Sequence, residues 1–160
     1  VSFNKKTKRD LFMNAHVVYA TITGNNEDIA DIISDQLKKH DIEVIETEIS
    51  QTDAAELQDA DICVVCPYTY DEGSLPEEGM DFYDDLQNLD LTGKIYGVAG
   101  SGDVFYGDDF NKAVDEYSEA FTSAQATQGT ENVKIDLEPI EDDVETLAKF
   151  TDALVSAAKK

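Results

Sequence analysis

The chain of 160 residues has few basic side chains, no tryptophan and only two cysteines. Lys and Arg number 12 against 35 Asp and Glu, which gives a formal net charge of −23. This charge repels DNA, RNA and anionic lipid surfaces, so nucleic acids and membranes are not expected partners. It attracts basic proteins. The acidity could equally serve only to keep the protein soluble, and composition does not separate these two interpretations.

Long apolar runs are also absent. No stretch approaches the roughly 18 consecutive apolar residues that predict a membrane-spanning helix. The basic residues near the N-terminus are not followed by the apolar segment and small-residue cleavage site of a secretory signal. We therefore expect a cytoplasmic protein, and we expect it to be a monomer.

The first residues differ from the rest of the chain. Four of the 12 basic residues lie between Lys5 and Arg9, and the first apolar strand pattern begins only after Met13. We predict that residues 1–13 are a disordered extension, a cloning remnant or a translated upstream stretch. Residues 14–160 are long enough for one domain with a substantial core.

Cys63 and Cys66 form a C-x-x-C pattern, which is typical of redox and zinc sites. The surrounding run DICVVCP (61–67), however, predicts a buried strand, in which residues three apart point to opposite faces. A reactive pair needs a turn or a helix start, and zinc needs two more ligands. His16 and His40 do not cluster with other candidates. We expect two reduced, buried thiols and no metal site.

From residue 14 the chain alternates strand and helix patterns. The predicted strands are 15–20, 42–49, 61–67, 94–100 and 133–137, and the predicted helical segments are centred on 29–37, 54–57, 82–89, 110–124 and 144–158. This alternation predicts a parallel sheet with helices on both faces. Such sheets bind ligands beyond the carboxyl ends of their strands. Three polar loops, 21–26, 67–75 and 101–110, are predicted at those ends.

The first loop is suited to an anion although it contains no Lys or Arg. Its residues are Thr21, Ile22, Thr23, Gly24, Asn25 and Asn26. Hydroxyls, amides and the free N–H groups of the next helix can hold a phosphate with neutral donors alone. The loop is neither a Walker motif nor the dinucleotide G-x-G-x-x-G. The alternative is an ordinary capped helix, with Asn25 as N-cap and Asp28 as its reciprocal partner.

The three loops together resemble those of the flavodoxins, specifically the short-chain class. The family phosphate motif [ST]-x-T-G-x-[ST] matches residues 21–26 at every position except the last, where this chain has Asn26. The resemblance covers residues 14–158, and no long insertion splits the last strand. It implies an α/β fold: a three-layer sandwich around a five-stranded parallel sheet of order 2-1-3-4-5.

The resemblance also implies the cofactor and its contacts. Flavin mononucleotide (FMN) would bind noncovalently, with its phosphate in loop 21–26 and its ring between Tyr70 and Tyr106. Asn26 would still cap the helix and donate a hydrogen bond, and Asp103 would lie near the pyrimidine edge. The remaining implied contacts come from the second and third loops: Pro67, Tyr68, Thr69, Asp71, Glu72, Gly73, Ser101, Gly102 and Phe110.

The function that the resemblance implies is single-electron transfer at low potential, because no cation in the three loops would offset charge on the reduced ring. At the backbone position where many relatives have a flexible glycine, this chain has the pair Asp71-Glu72. We therefore expect a less stable one-electron-reduced state than in glycine-bearing relatives.

Several alternatives remain at this point. An FMN-dependent quinone or azo reductase could use the same fold, although no nicotinamide motif is present. A dedicated partner of one enzyme, such as a ribonucleotide reductase, is a third possibility. A phosphoacceptor signalling domain is excluded, because the third strand ends in VVCPYT without the required aspartate. For the carrier, the acidic run 71–85 is the candidate docking surface for basic reductases and acceptor enzymes; the competing interpretation is a solvated helix face.

Overall fold

The computed structural model describes residues 13–20, 24–67, 80–102, 112–136 and 139–159. Its strands are β1 (Asn14–Tyr19), β2 (Glu43–Glu48), β3 (Ile62–Cys66), β4 (Ile95–Gly102), β5 (Thr127–Gln128) and β6 (Val133–Asp136). Its α-helices are α1 (Asn25–Lys39), α2 (Met80–Gln87), α3 (Lys112–Ser123) and α4 (Glu141–Ala158), and two short 3-10 helices cover Ile49–Gln51 and Ala54–Asp59.

The strands form one parallel sheet in the order β2-β1-β3-β4-β5. This confirms the predicted order and the α/β sandwich. The fifth place in the sheet differs from the prediction, because two short strands occupy it where a single strand was expected. β5 pairs with the start of β4, and β6 pairs with the end of β4, from Ala99 to Gly102. Thr127 and Gln128 are polar and exposed, so β5 has no apolar pattern to reveal it.

The core has two layers, one on each face of the sheet. β3 is buried along its whole length, as expected for a central strand of a parallel sheet. Cys63 packs in the layer that contains α2 and α3, whereas Cys66 packs in the layer that contains α1 and α4. The prediction of opposite faces is therefore confirmed. Both thiols are free, and burial raises the pKa of Cys63 to about 12 and moves the pKa of Cys66 well above its usual range.

Helices α1 and α4 cover one face. Ile29, Ile33 and Leu37 of α1 are fully buried, at the i, i+4, i+8 spacing that places apolar side chains on one stripe. A polar contact joins the exposed rims of the two helices. Gln36 Nε2 donates to Asp152 Oδ1 over 2.9 Å, and His40 Nε2 lies 2.7 Å from the same oxygen. These two hydrogen bonds lower the pKa of Asp152.

Helices α2 and α3 cover the other face. Tyr96 of β4 stacks on Phe121 of α3, with ring centroids 4.7 Å apart. The Tyr96 hydroxyl meets Ser118 Oγ at 2.8 Å, so a buried ring keeps its polar atom satisfied. This pair fixes α3 against β4, the strand that leads into the third predicted loop.

The described part of the chain begins one residue before β1. Met13 is buried in the core, and its carbonyl accepts a hydrogen bond from Glu43 N; residues 1–12 lie outside the described residues. Among the helices described, none is both long and apolar enough to cross a bilayer.

Candidate functional site

The strand order reverses at β1, and this creates a crevice. From β1 the chain moves outward to β2 and then returns to the other side of β1 to form β3. The helices after β1 and β3 therefore leave the sheet on opposite faces and open a gap at the carboxyl ends of these strands. A backbone bond from Ala20 N to Cys66 O, 3.0 Å long, holds the two strand ends together. The crevice lies where the three polar loops were predicted to meet.

The first loop runs into the N-terminus of α1 at Gly24. Gly24 has φ 95° and ψ −10°, a left-handed conformation that glycine adopts without the strain of a Cβ. Gly24 is the N-cap residue and no side chain caps the helix. The alternative of an Asn25 cap with Asp28 as its partner is therefore wrong, and so is the expectation that Asn26 caps the helix. The first N–H groups of an α-helix have no partner within the helix, and they can bind an anion.

Asn26 crosses from this helix to the end of β4. Its side chain has no exposed surface, and Oδ1 accepts a hydrogen bond from the backbone N–H of Ser101 over 2.8 Å. Nδ2 is also buried, and it finds no acceptor among the described residues. Buried amide donors are nearly always paired in folded proteins. This asparagine therefore presents a donor for which the described protein supplies no acceptor.

The second and third loops begin very close together. A Cβ placed on Gly100 would lie 2.5 Å from the carbonyl oxygen of Pro67 and 2.8 Å from Val114 Cγ2. Only a glycine lets β4 approach Pro67 this closely. Ser101 is buried, and β4 continues to Gly102. Gly100 thus sets the spacing between the starts of the two loops that were predicted to hold the ring.

Carboxylates of α1 and β2 lie close to one another on the α1 side of the sheet. Ser34 Oγ donates to Glu46 Oε1 over 2.6 Å, and Tyr19 OH donates to Glu27 Oε2 over 3.2 Å. Partial burial and the adjacent Asp31 carboxyl raise the pKa of Glu46 to about 7, although Ser34 opposes this. Burial and then Glu27 raise the pKa of Tyr19. Glu46 carries no signal in the sequence, because its environment depends on the packing of α1 against β2.

The amino end of the sheet offers a contrast. Asn14 Nδ2 donates to the Asp59 carbonyl over 3.0 Å, and Asn14 Oδ1 accepts from Asp61 N over 3.1 Å. Asn14 N in turn donates to Asp61 Oδ2. Both ends of this carboxamide are thus satisfied within the protein.

The structure brings together the described part of the predicted site. Gly24, Asn25, Asn26, Pro67, Ser101 and Gly102 all lie at the carboxyl edge. The other predicted contacts lie outside the described residues: Thr21, Ile22, Thr23, Tyr68, Thr69, Tyr70, Asp71, Glu72, Gly73, Asp103, Tyr106 and Phe110. Of the acidic run 71–85, the described part begins at α2.

Known proteins with this fold also match in sequence. Probable flavodoxin 1 of Bacillus subtilis is 35% identical over 137 residues, which is 85% of this chain and 86% of that protein. A short-chain flavodoxin associated with a non-canonical PDU bacterial microcompartment has a solved structure that is 62% identical, with a TM-score of 0.91 over 92% of this chain and 99% of the other. The flavodoxin of Streptococcus pneumoniae TIGR4 is 48% identical, with a TM-score of 0.86 over 89% of this chain and 97% of the other.

The family model for flavodoxin matches residues 17–150, from the middle of β1 to the middle of α4, and this range includes all three loops of the crevice. The sequence match and the strand order agree, and the chain belongs to the flavodoxin family.

Proposed function

We propose that the crevice holds FMN noncovalently, with the phosphate in loop 21–26 and the ring between loops 67–73 and 101–110. The observation that carries this assignment is the buried Nδ2 of Asn26 beside an uncapped helix N-terminus. Together they offer neutral donors to an anion and no competing side-chain cap. Flavodoxins are FMN-binding electron carriers rather than enzymes. The quinone or azo reductase alternative is not favoured.

When bound, FMN supplies the redox chemistry, because its ring accepts and returns electrons one at a time. The protein contributes binding, orientation and electrostatics. The close approach at Gly100 sets the distance between the two loops that flank the ring. The three loops contain no Lys or Arg, and Glu27 and Asp28 lie in the first turn of α1, directly after the phosphate loop. Negative charge is costly in these surroundings, which supports a low reduction potential.

Flavodoxin-like domains pass electrons to redox partners, and we propose that this chain acts as a monomer and that its partners are basic. The net charge of −23 supports this, since opposite charges accelerate encounter. Asp81, Asp84 and Asp85 of α2 belong to the proposed docking surface, 71–85. A 62% identical relative is associated with a bacterial microcompartment, so redox enzymes of such an assembly are the first partners to test. The two free, buried thiols fit a reducing cytoplasm.

The direct test is a titration of the apo-protein with FMN, followed by flavin fluorescence and the visible spectrum. We expect one FMN per chain. Tyr70→Ala and Tyr106→Ala should each weaken binding by about tenfold, because each removes a stacking surface. The matched control is Tyr83→Ala in α2, whose ring packs edge-on against Tyr117 with centroids 5.1 Å apart. It should leave FMN affinity unchanged.

A second experiment separates carrier from reductase. The FMN-loaded protein is mixed with a nicotinamide and a quinone, with and without a flavodoxin reductase. An electron carrier reduces acceptors only when the reductase is present. Turnover with the nicotinamide alone would contradict the proposal, as would a wild-type protein that fails to bind FMN.

A further inference from the structure

Asn26 occupies the position at which the family phosphate motif has a hydroxyl residue. We infer that this asparagine is a positioning residue with two tasks: its Oδ1 fixes the start of the third loop through Ser101, and its Nδ2 donates to the cofactor phosphate. A single side chain then connects phosphate recognition to the loop beside the ring. This inference rests on the proposed function, since it needs FMN as the ligand.

The orientation of the carboxamide follows from its surroundings. The Ser101 N–H needs an acceptor, and it lies 2.8 Å from the Asn26 side-chain oxygen. A flipped amide would place two donors against each other. The oxygen must therefore face β4, which leaves the NH₂ group on the other side of the carboxamide. That group is shielded from solvent and has no acceptor among the described residues.

The position of Asn26 supplies a reason for the unpaired donor. Asn26 is the second residue of α1, and the N–H groups of this turn together with the helix dipole favour an anion here. Leaving a buried donor without a partner costs free energy, so a ligand that supplies the acceptor stabilises the arrangement. A phosphate provides strong acceptor oxygens and forms charge-assisted hydrogen bonds.

Asn14 shows what a purely structural asparagine looks like in the same sheet. It also bridges two segments, and both its Oδ1 and its Nδ2 have backbone partners. The two residues share a side chain and a bridging geometry. Asn14 is partly exposed and has both groups paired, whereas Asn26 is fully buried and has one unsatisfied donor, so Asn14 serves as the structural control.

The first test observes the donor itself. Side-chain amide resonances of the ¹⁵N-labelled apo-protein are followed while inorganic phosphate is added, and again with FMN. We expect the Asn26 NH₂ signals to shift with the phosphate titration, while those of Asn14 stay in place. Asn26 signals that stay unchanged in both titrations would overturn the inference.

The second test compares FMN with riboflavin, which lacks the phosphate. Asn26→Asp keeps an oxygen for Ser101 and replaces the donor by a repelling carboxylate. We expect FMN affinity to fall by roughly tenfold or more, with a change in riboflavin affinity of less than about threefold. Asn14→Asp introduces the same charge at the other end of the sheet and should leave the ratio of the two affinities unchanged. Asn26→Thr restores a hydroxyl donor and should keep that ratio near the wild-type value.

The outcomes separate this inference from the function on which it rests. If the wild type binds FMN and Asn26→Asp weakens FMN and riboflavin equally, the inference fails while the proposed function stands. If the wild type binds neither FMN nor phosphate, both fail. If Asn26→Asp does not fold, the resonance titration of the wild type and the affinities of Asn26→Thr still test the inference. A normal phosphate shift of Asn26 in the wild type, combined with a loss of the preference for FMN over riboflavin in Asn26→Thr, would contradict the shared role.

Discussion

The two ends of the sheet use the same chemistry for different purposes. At the amino end, Asn14 joins β1 to the segment before β3, and its side-chain groups are paired within the protein. At the carboxyl end, Asn26 joins α1 to β4 but leaves a buried donor that has no acceptor among the described residues. The amino end is built for stability alone. The carboxyl end gives up some stability to remain ready for a ligand, as is usual for functional sites.

The largest effect should come from Gly100→Ala at the carboxyl end. Its Cβ would lie 2.5 Å from the Pro67 carbonyl, and backbone cannot rotate away as a side chain can. We expect the free energy of unfolding to fall by about 3 kcal/mol, measured by urea denaturation. Gly97→Ala is the control, because its Cβ would meet only the side chains of Phe150 and Leu154. An equal loss in both variants would contradict this account of the Pro67 contact.

The amino end is tested by Asn14→Ala. This variant loses the side-chain bonds to Asp59 and Asp61, so the free energy of unfolding should fall by about 1–2 kcal/mol. The loss should be the same with and without FMN, since the cofactor binds at the other end. Thermal denaturation at several FMN concentrations measures this. A loss that depends on FMN concentration would mean that the two ends are not independent.

The raised pKa of Glu46 gives a pH-dependent prediction. With a folded-state pKa of about 7 against an ordinary value of 4.5, the folded protein binds more protons than the unfolded chain between these values. Stability should therefore fall as pH rises from about 4.5 to about 7. Because Glu46 is partly exposed, solvent screening reduces the effect to about 1 kcal/mol.

Glu46→Gln keeps an acceptor for Ser34 and removes the titration. At pH 8 its free energy of unfolding should exceed that of the wild type by about 1 kcal/mol. Near pH 4.5 the two proteins should be equally stable. The control is Glu43→Gln, at the exposed amino end of the same strand, and pH-dependent unfolding curves provide the comparison. A wild-type pH profile retained by Glu46→Gln would show that another group is responsible.

The smallest effect is expected at the two thiols. Burial raises the pKa of Cys63 to about 12 and raises that of Cys66 further, and only the thiolate is nucleophilic. A thiol reagent such as a disulfide-forming dye should therefore not react with the native protein near neutral pH. In urea both thiols should react. Rapid reaction of the native form would show that the core opens at β3.

The features that follow from local pattern were predictable from the sequence. The alternation of strand and helix gives the parallel sheet, and the two-residue period of a strand places Cys63 and Cys66 on opposite faces. The order 2-1-3-4-5 came from the family resemblance, because periodicity does not say which strands are neighbours. The short strand β5 was missed since Thr127 and Gln128 are polar and carry no apolar signal, although both pair with β4 through the backbone.

The candidate site was predictable only in part. The composition of loop 21–26 indicated an anion, but it suggested Asn25 as the cap, whereas the left-handed Gly24 occupies that position. The bond between Asn26 and Ser101 joins residues 75 apart in the chain, so no local pattern contains it. The environment of Glu46 likewise depends on the packing of α1 beside β2. Such long-range polar contacts can be identified only when the three-dimensional fold is known.

Strand β2 lies at one edge of the sheet, where its outer backbone groups could recruit a strand from a second molecule. Its sequence, EVIETE, contains three glutamates in six residues. If two copies aligned along this edge, like charges would face each other, which disfavours pairing. The glutamates therefore guard against edge-to-edge aggregation, even though Ile45 is half exposed in the same strand.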